Sequence, residues 1–153
     1  MRRVGPLLVT LSALGLVAGA RASRAAFDVA ATLSWQQVVP RPSHPVKQAS
    51  GSLSGDLDHQ LRELSWKLVY RGLSGRPTRA EIHVGRLGHR GPLLLSLCGP
   101  KVVKARRCKS GLKGTKIVSK SAVMTLEAGN TYVQIYTRRN PRGELRGQIL
   151  IKR

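Results

Sequence analysis

From Phe27 onward apolar and polar residues alternate, with Phe27, Val29, Ala31, Leu33 and Trp35 on one parity and Asp28, Ala30, Thr32 and Ser34 on the other. Successive side chains of a strand point to opposite faces, so this is the pattern of a half-buried β-strand. Pro40, Pro42 and Pro45 then interrupt it. Each lacks a ladder donor and restricts the residue before it, which predicts an extended loop. Further strands are expected at 48–57, 64–72, 79–84, 93–98, 121–126, 130–138 and 144–152, separated by Gly, Pro and polar residues. The alternation returns in Leu64, Trp66, Leu68 and Tyr70, in Ala80, Ile82 and Val84, and in Leu145, Gly147, Ile149 and Ile151. No segment beyond residue 26 carries a convincing 3.6-residue stripe. About eight short strands, each with one apolar face that needs a facing sheet, predict an all-β fold, an antiparallel β-sandwich or barrel.

The first residues follow a different pattern. Met1-Arg2-Arg3 is a short basic stretch, and the apolar run from Val4 to Ala20 is broken only by Gly, Pro, Ser and Thr. Small residues at spacing two follow, in Ala18-Gly19-Ala20, Ala20-Arg21-Ala22 and Ser23-Arg24-Ala25. That order is the order of a secretory signal peptide, so residues 1–25 are expected to be a helical leader cut between Ala20 and Ala26, and residues 26–153 one β domain. The run is diluted by Gly5, Pro6, Gly15 and Gly19 and is marginal for a bilayer core of about 30 Å, so no transmembrane anchor is expected after cleavage. Arg2-Arg3 lacks the rest of a twin-arginine motif, and no cysteine stands near the cut to carry a lipid. The expected location is secreted, periplasmic or cell-envelope.

Composition sharpens this picture in two ways. Lys and Arg number 27 against 7 Asp and Glu, a formal charge of +20, and such a field attracts polyanions and anionic membrane surfaces. Basic residues gather in 99–120, where Lys101, Lys104, Arg106, Arg107, Lys109, Lys113, Lys116 and Lys120 stand without an acid; the segment reads as an exposed loop, and its first six bases as candidate anion-binding residues. Aromatic residues are only 4% of the chain, too few for the stacking platforms of a specific nucleic-acid binder. Cys98 and Cys108 are the only cysteines. In an oxidising compartment they are expected to form a disulfide pinning that loop, and the Lys, Arg and Gly around them supply no zinc ligands.

Three blocks, in order, carry a family resemblance. They are Trp66-Lys67-Leu68-Val69-Tyr70-Arg71-Gly72-Leu73; Thr78-Arg79-Ala80-Glu81-Ile82-His83-Val84-Gly85 with Gly91-Pro92 after it; and Tyr132-Val133-Gln134-Ile135-Tyr136-Thr137 running to Pro141-Arg142-Gly143-Glu144-Leu145-Arg146-Gly147-Gln148. With them the chain resembles the CHRD domain, first named in chordin, from about Phe27 to Lys152. The closing P-x-G-E-[IL]-R-G-Q block is the most specific. The resemblance implies an extracellular β-sandwich or immunoglobulin-like barrel, with a loose topological likeness to copper–zinc superoxide dismutase, and no established enzymatic activity. Family members commonly have A-H-I-H where this chain has Ala80-Glu81-Ile82-His83, and V-H-T where it has Ile135-Tyr136-Thr137. Of the three histidines that would converge on a metal, this chain keeps His83, so neither a metal site nor a cofactor is expected.

The remaining candidates are polar positions on strands. Glu81, His83, Tyr136, Glu144 and Arg146 are expected to form a polar surface, with Glu144 and Arg146 facing away from the core and joined to Tyr136, Thr137 or His83 by ion pairs or hydrogen bonds. His44, His59 and His89 fall in turn-rich stretches and are expected in solvent. No Gly-x-Ser-x-Gly elbow, phosphate-cradling glycine loop or reactive-cysteine context occurs, so the expectation is not an enzyme. A non-enzymatic binding or structural module for an unidentified protein is the leading expectation. A basic surface for lipopolysaccharide or acidic polysaccharide is the alternative, and a metal-dependent dismutase-like enzyme the weakest, since fold analogy alone carries no function. The oligomeric state is open at this stage.

Overall fold

The period-two segments pair into two antiparallel sheets. The structure, a computed structural model, describes residues 26–102 and 107–152. The expected leader and its cut, and Lys104 and Arg106, lie outside the described residues. In chain order the elements are β1 (Ala26–Leu33), a 3-10 turn (Trp35–Gln37), β2 (Ser50–Asp58), β3 (Glu63–Arg71), β4 (Pro77–Val84), β5 (Leu93–Cys98), β6 (Leu112–Ile117), α1 (Lys120–Glu127), β7 (Thr131–Thr137), β8 (Leu145–Gln148) and β9 (Leu150–Lys152). One sheet has the order β6-β3-β2-β1-β9 and the other β5-β4-β7-β8. The result is a sandwich and not a closed barrel.

Alternation decides what lies between the sheets. Val29, Ala31 and Leu33 of β1, Leu53 and Leu57 of β2, and Leu64, Trp66 and Leu68 of β3 turn inward and are buried. They meet Ala80 and Ile82 of β4, Leu95 and Leu97 of β5, Val133 and Ile135 of β7, and Leu145 in one continuous cluster. Burying a side chain of this size contributes about 1.5–3 kcal/mol relative to exposure, so the two facing rows supply most of the driving force. The Cys98–Cys108 disulfide forms, and it straps the end of β5 in one sheet to the segment that leads into β6 in the other.

Three expectations need correction. Residues 121–126 are not a strand but the body of α1: Ala122, Val123 and Leu126 bury one helical face, and the Ser119 hydroxyl caps the end by accepting from Ala122 N at 3.1 Å. The basic segment is not all loop, because Leu112–Ile117 adds β6 to the edge of β3, with Lys67 opposite Lys113. Only Leu112 of β6 is buried, and the lysines leave this edge unattractive for further pairing. Finally, 144–152 is not one strand. Ile149 turns away, its N–H donating to Thr131 O, and the chain passes from the four-stranded sheet into the five-stranded one, where Val29 pairs with Ile151.

Candidate functional site

The outward positions of β4, β7 and β8 in the four-stranded sheet are polar, yet most are covered. On β4 these are Arg79, Glu81 and His83, on β7 Tyr132, Gln134 and Tyr136, and on β8 Arg146 and Gln148. Register aligns them in rows, His83 opposite Tyr132, Glu81 opposite Gln134 and Arg79 opposite Tyr136. On the other side of β7, Tyr132 faces Gln148 and Gln134 faces Arg146. The β4–β5 connection and the turn at Pro141-Arg142 fold over this face. Gly91 lets the first approach: a Cβ there would lie 1.7 Å from Val84 O. Gly143 does the same for the second, with φ +128° and the Gln134 amide where a side chain would go.

The five residues expected as polar surface are therefore not surface. Glu81 is 3% exposed, Tyr136 5%, and Glu144 and Arg146 0%; the His83 side chain keeps 13%. The reason is that the covering loops anchor on them. His83 Nδ1 donates to Gly91 O at 3.2 Å, and its Nε2 lies 3.1 Å from Glu81 Oε2 and 3.0 Å from the Tyr136 hydroxyl. Arg79 donates from Nε to Glu81 Oε2 and from Nη2 to Pro141 O, while its guanidinium lies 3.8 Å over the Tyr136 ring. Burial, with the Glu81 carboxylate beside it, pushes the Tyr136 hydroxyl up to about 12 against the pull of Arg79. Arg146 lies 3.5 Å over the Tyr132 ring and donates from Nη2 to Arg86 O and His89 O, so it joins His83 in holding the β4–β5 connection down. Burial lowers its pKa from the usual guanidinium value. His83 stacks on Tyr132 at 5.3 Å, on the strand side opposite Arg146.

Glu144 does something different. Its carboxylate accepts from Ser74 N at 2.6 Å, Ser74 Oγ and Thr137 Oγ1 at 2.5 Å each, and Asn140 Nδ2 at 3.1 Å. Burial acts to raise its pKa, but these hydrogen bonds outweigh it and hold the carboxyl below its ordinary value. Asn140 also exchanges bonds with the backbone of His44, which moors the proline-rich loop. The Pro-x-Gly-Glu block is thus a knot joining three connections. The expected link from Glu144 to Thr137 is present, while Arg146 engages Tyr132 instead of Tyr136 or His83.

Between the covering segments a cleft of about 470 Å³ remains, with Glu81, His83, Tyr132, Gln134 and Tyr136 inside and Arg79, Arg90, Lys101 and Arg142 around it. Of the expected anion-binding residues, Lys101 reaches this cleft, its Nζ 3.8 Å from Glu81 Oε1. Arg107 and Lys109 are exposed beside the disulfide, and Lys113 lies on the five-stranded sheet, so the described members of the basic segment do not gather at one place. His44, His59 and His89 are exposed, as expected, with His59 paired to Glu127. Tyr132, Gln134, Arg79, Arg90 and Arg142 also line the cleft, and the sequence does not single them out as site residues. The first three share the parity of Tyr136 or Glu81 on their own strands, and that spacing was the available signal; Arg90 and Arg142 come from loops and gave none.

No group of three or more metal-binding side chains occurs among the described residues. In this arrangement both His83 ring nitrogens already face partners, and the Tyr136 hydroxyl beside Nε2 lies on a ring covered by the Arg79 guanidinium. The described residues include no helix long and apolar enough to cross a membrane. No curated protein and no solved structure matches the chain. Residues 29–149 match the family model for the CHRD domain, a span that holds β2 to β8, most of β1, the cleft and the Glu144 knot, and the chain belongs to the CHRD family.

Proposed function

We propose that this chain is an exported, non-enzymatic binding module whose partner-facing surface is the outer face of the four-stranded sheet. The observation that carries the reading is the cleft itself: polar side chains are locked in place by covering loops, at a volume usual for ligand sites of 300–1,000 Å³, with no activated nucleophile among them. Export is supported by the signal-like order of the first residues and by the Cys98–Cys108 bond, which suits an oxidising compartment. The test of export is the intact mass of protein recovered outside the cytoplasm. A start between Arg21 and Phe27 is expected, and recovered protein that retains Met1–Ala20 overturns it.

Charge favours the basic, anion-attracting form of this reading. Asp28, Asp56, Asp58 and Glu63 lie on strands of the five-stranded sheet, Glu127 is paired with His59, and Glu81 and Glu144 are buried, so no exposed acid offsets Arg90, Lys101 and Arg142. The test is capture of partners by the exported protein from envelope and culture-supernatant extracts, at low and high salt, beside a variant carrying Arg90→Glu and Arg142→Glu. A partner retained by the wild type and lost by the variant is expected. Capture that ignores the variant refutes the assignment of this face.

A further inference from the structure

The geometry points to a chemical class for the occupant of this cleft: a hydroxylated anion, an acidic saccharide of the uronate type, whose hydroxyl donates to Glu81 while its carboxylates meet Arg90, Lys101 and Arg142. This deepens the binding-module reading and rests on it. The starting point is Glu81 Oε1. It is buried and lacks a hydrogen-bond partner, and among the described buried side-chain atoms without one it is the only carboxylate oxygen. Its neighbour Oε2 accepts from Arg79 Nε at 3.3 Å and lies 3.1 Å from His83 Nε2. A buried acceptor left unsatisfied costs about 1–3 kcal/mol, more when charged, so a group that donates to it gains that penalty back.

Three classes of simple ligand compete for this cleft, and the rim and floor together discriminate among them. Cations are repelled, because Arg79, Arg90, Lys101 and Arg142 line the same cleft. Anions without hydrogens are drawn to the rim by the same residues but meet a buried carboxylate at the floor. Neutral polyols satisfy Glu81 and leave the arginines unused. A molecule with both hydroxyls and carboxylates satisfies floor and rim together. Stacking on the aromatic rings adds nothing to its recognition, since Tyr136 is capped by Arg79 and Tyr132 is held between Arg146 and His83. Lys101, whose side chain is 62% exposed, is the adjustable member and can turn from Glu81 toward the ligand.

The inference gives opposite signs for one substitution. Titrating the exported, disulfide-bonded protein with tetragalacturonate, tetrapolyphosphate and maltotetraose, we expect tetragalacturonate to bind at least tenfold more tightly than either of the others. Glu81→Gln weakens tetragalacturonate about tenfold and strengthens tetrapolyphosphate, because Arg79 keeps the amide oxygen at the Oε2 position and the NH2 faces the cleft, which exchanges an acceptor for a donor against one ligand and removes a repulsive charge against the other. Arg90→Gln with Arg142→Gln weakens both anions. If Glu81→Gln strengthens both anions, the cleft is a plain electrostatic sink and the inference is wrong. If that variant fails to fold, the wild-type ranking decides: tetrapolyphosphate equal to or tighter than tetragalacturonate overturns the proposal. A protein partner captured through the rim, with no binding of tetragalacturonate, removes the ligand class and leaves the binding face in place; loss of both removes the face as well.

Discussion

On the outer face of the five-stranded sheet, Ser52, Ser54, Lys67 and Lys113 stand in solvent; on the four-stranded sheet, Glu81, Gln134 and Arg146 hold equivalent outward positions and are buried. The strands beneath are alike, with apolar side chains inward and polar ones outward. What differs is the length and attachment of the connections. β2 and β3 are joined by a short turn that stays at the sheet's end, whereas the β4–β5 and β7–β8 connections fold back over their own strands and are tied there by His83, Tyr132, Arg79, Gln134 and Arg146. A polar outward row is therefore either a wet surface or a second, polar interior. Loops that have bonds to make on the sheet decide which.

The largest test of this contrast removes the strap between the sheets. Replacing both Cys98 and Cys108 with Ser should lower unfolding stability by about 3 kcal/mol, the chain-entropy value for a loop of roughly ten residues, measured by urea denaturation. A change below about 1 kcal/mol would mean that the two sheets are held together without it. The next test strikes the polar interior. Glu144→Gln should cost about 2–3 kcal/mol, since donors from Ser74, Thr137 and Asn140 lose a charged acceptor, whereas Asp56→Asn on the open face should stay within about 0.5 kcal/mol. Because the folded pKa of Glu144 is depressed, its contribution is complete above the unfolded carboxylate value of about 4.3 and is lost as pH falls through the lower folded one. Wild-type stability should fall across that window more steeply than that of Glu144→Gln.

The smallest test is steric. Gly91→Ala places a methyl against Val84 O and should cost about 1–2 kcal/mol, with faster amide exchange in the 85–91 segment as the loop lifts. Gly75→Ala, where a Cβ meets nothing within 4 Å, should leave both stability and exchange unchanged. Equal effects at the two glycines would argue that the cover is loose.

The three central strands of the open sheet are legible in the sequence, and its edges and the covered sheet only in part. β1, β2 and β3 keep strict alternation because water on one side and core on the other select residues by parity. β7 breaks that rule, buried at every position, so Tyr132 and Gln134 gave no sign of being interior. The β6 strand was hidden by Lys113, Gly114 and Lys116, which suit an edge that only Leu112 anchors. Residues 121–126 read as a strand because the eight residues of α1 offer only two turns of periodicity, although Ser119 before Ala122, Val123 and Leu126 carries the cap and the stripe. The candidate site was half visible: Glu81, His83 and Tyr136 came from parity and family resemblance, while the arginines of the rim come from loops whose course no periodicity records.

The passage of the chain at Ile149 has a consequence for how the molecule is assembled. β1 meets β2 on one edge, but its other edge is covered only by β9 at Asp28–Ala30 and by the bridge from Ser34 to Arg146. A polypeptide that emerges N-terminus first can zip β1, β2 and β3 from near neighbours, yet must leave that second edge open until almost the last described residues arrive. Contacts so distant along the chain form slowly, and an open edge held for that time is a template for pairing with another copy. Chains interrupted between β7 and β9 are thus expected to accumulate as aggregates instead of as soluble, partly folded monomers, with β1 to β3 already paired and one seam unclosed.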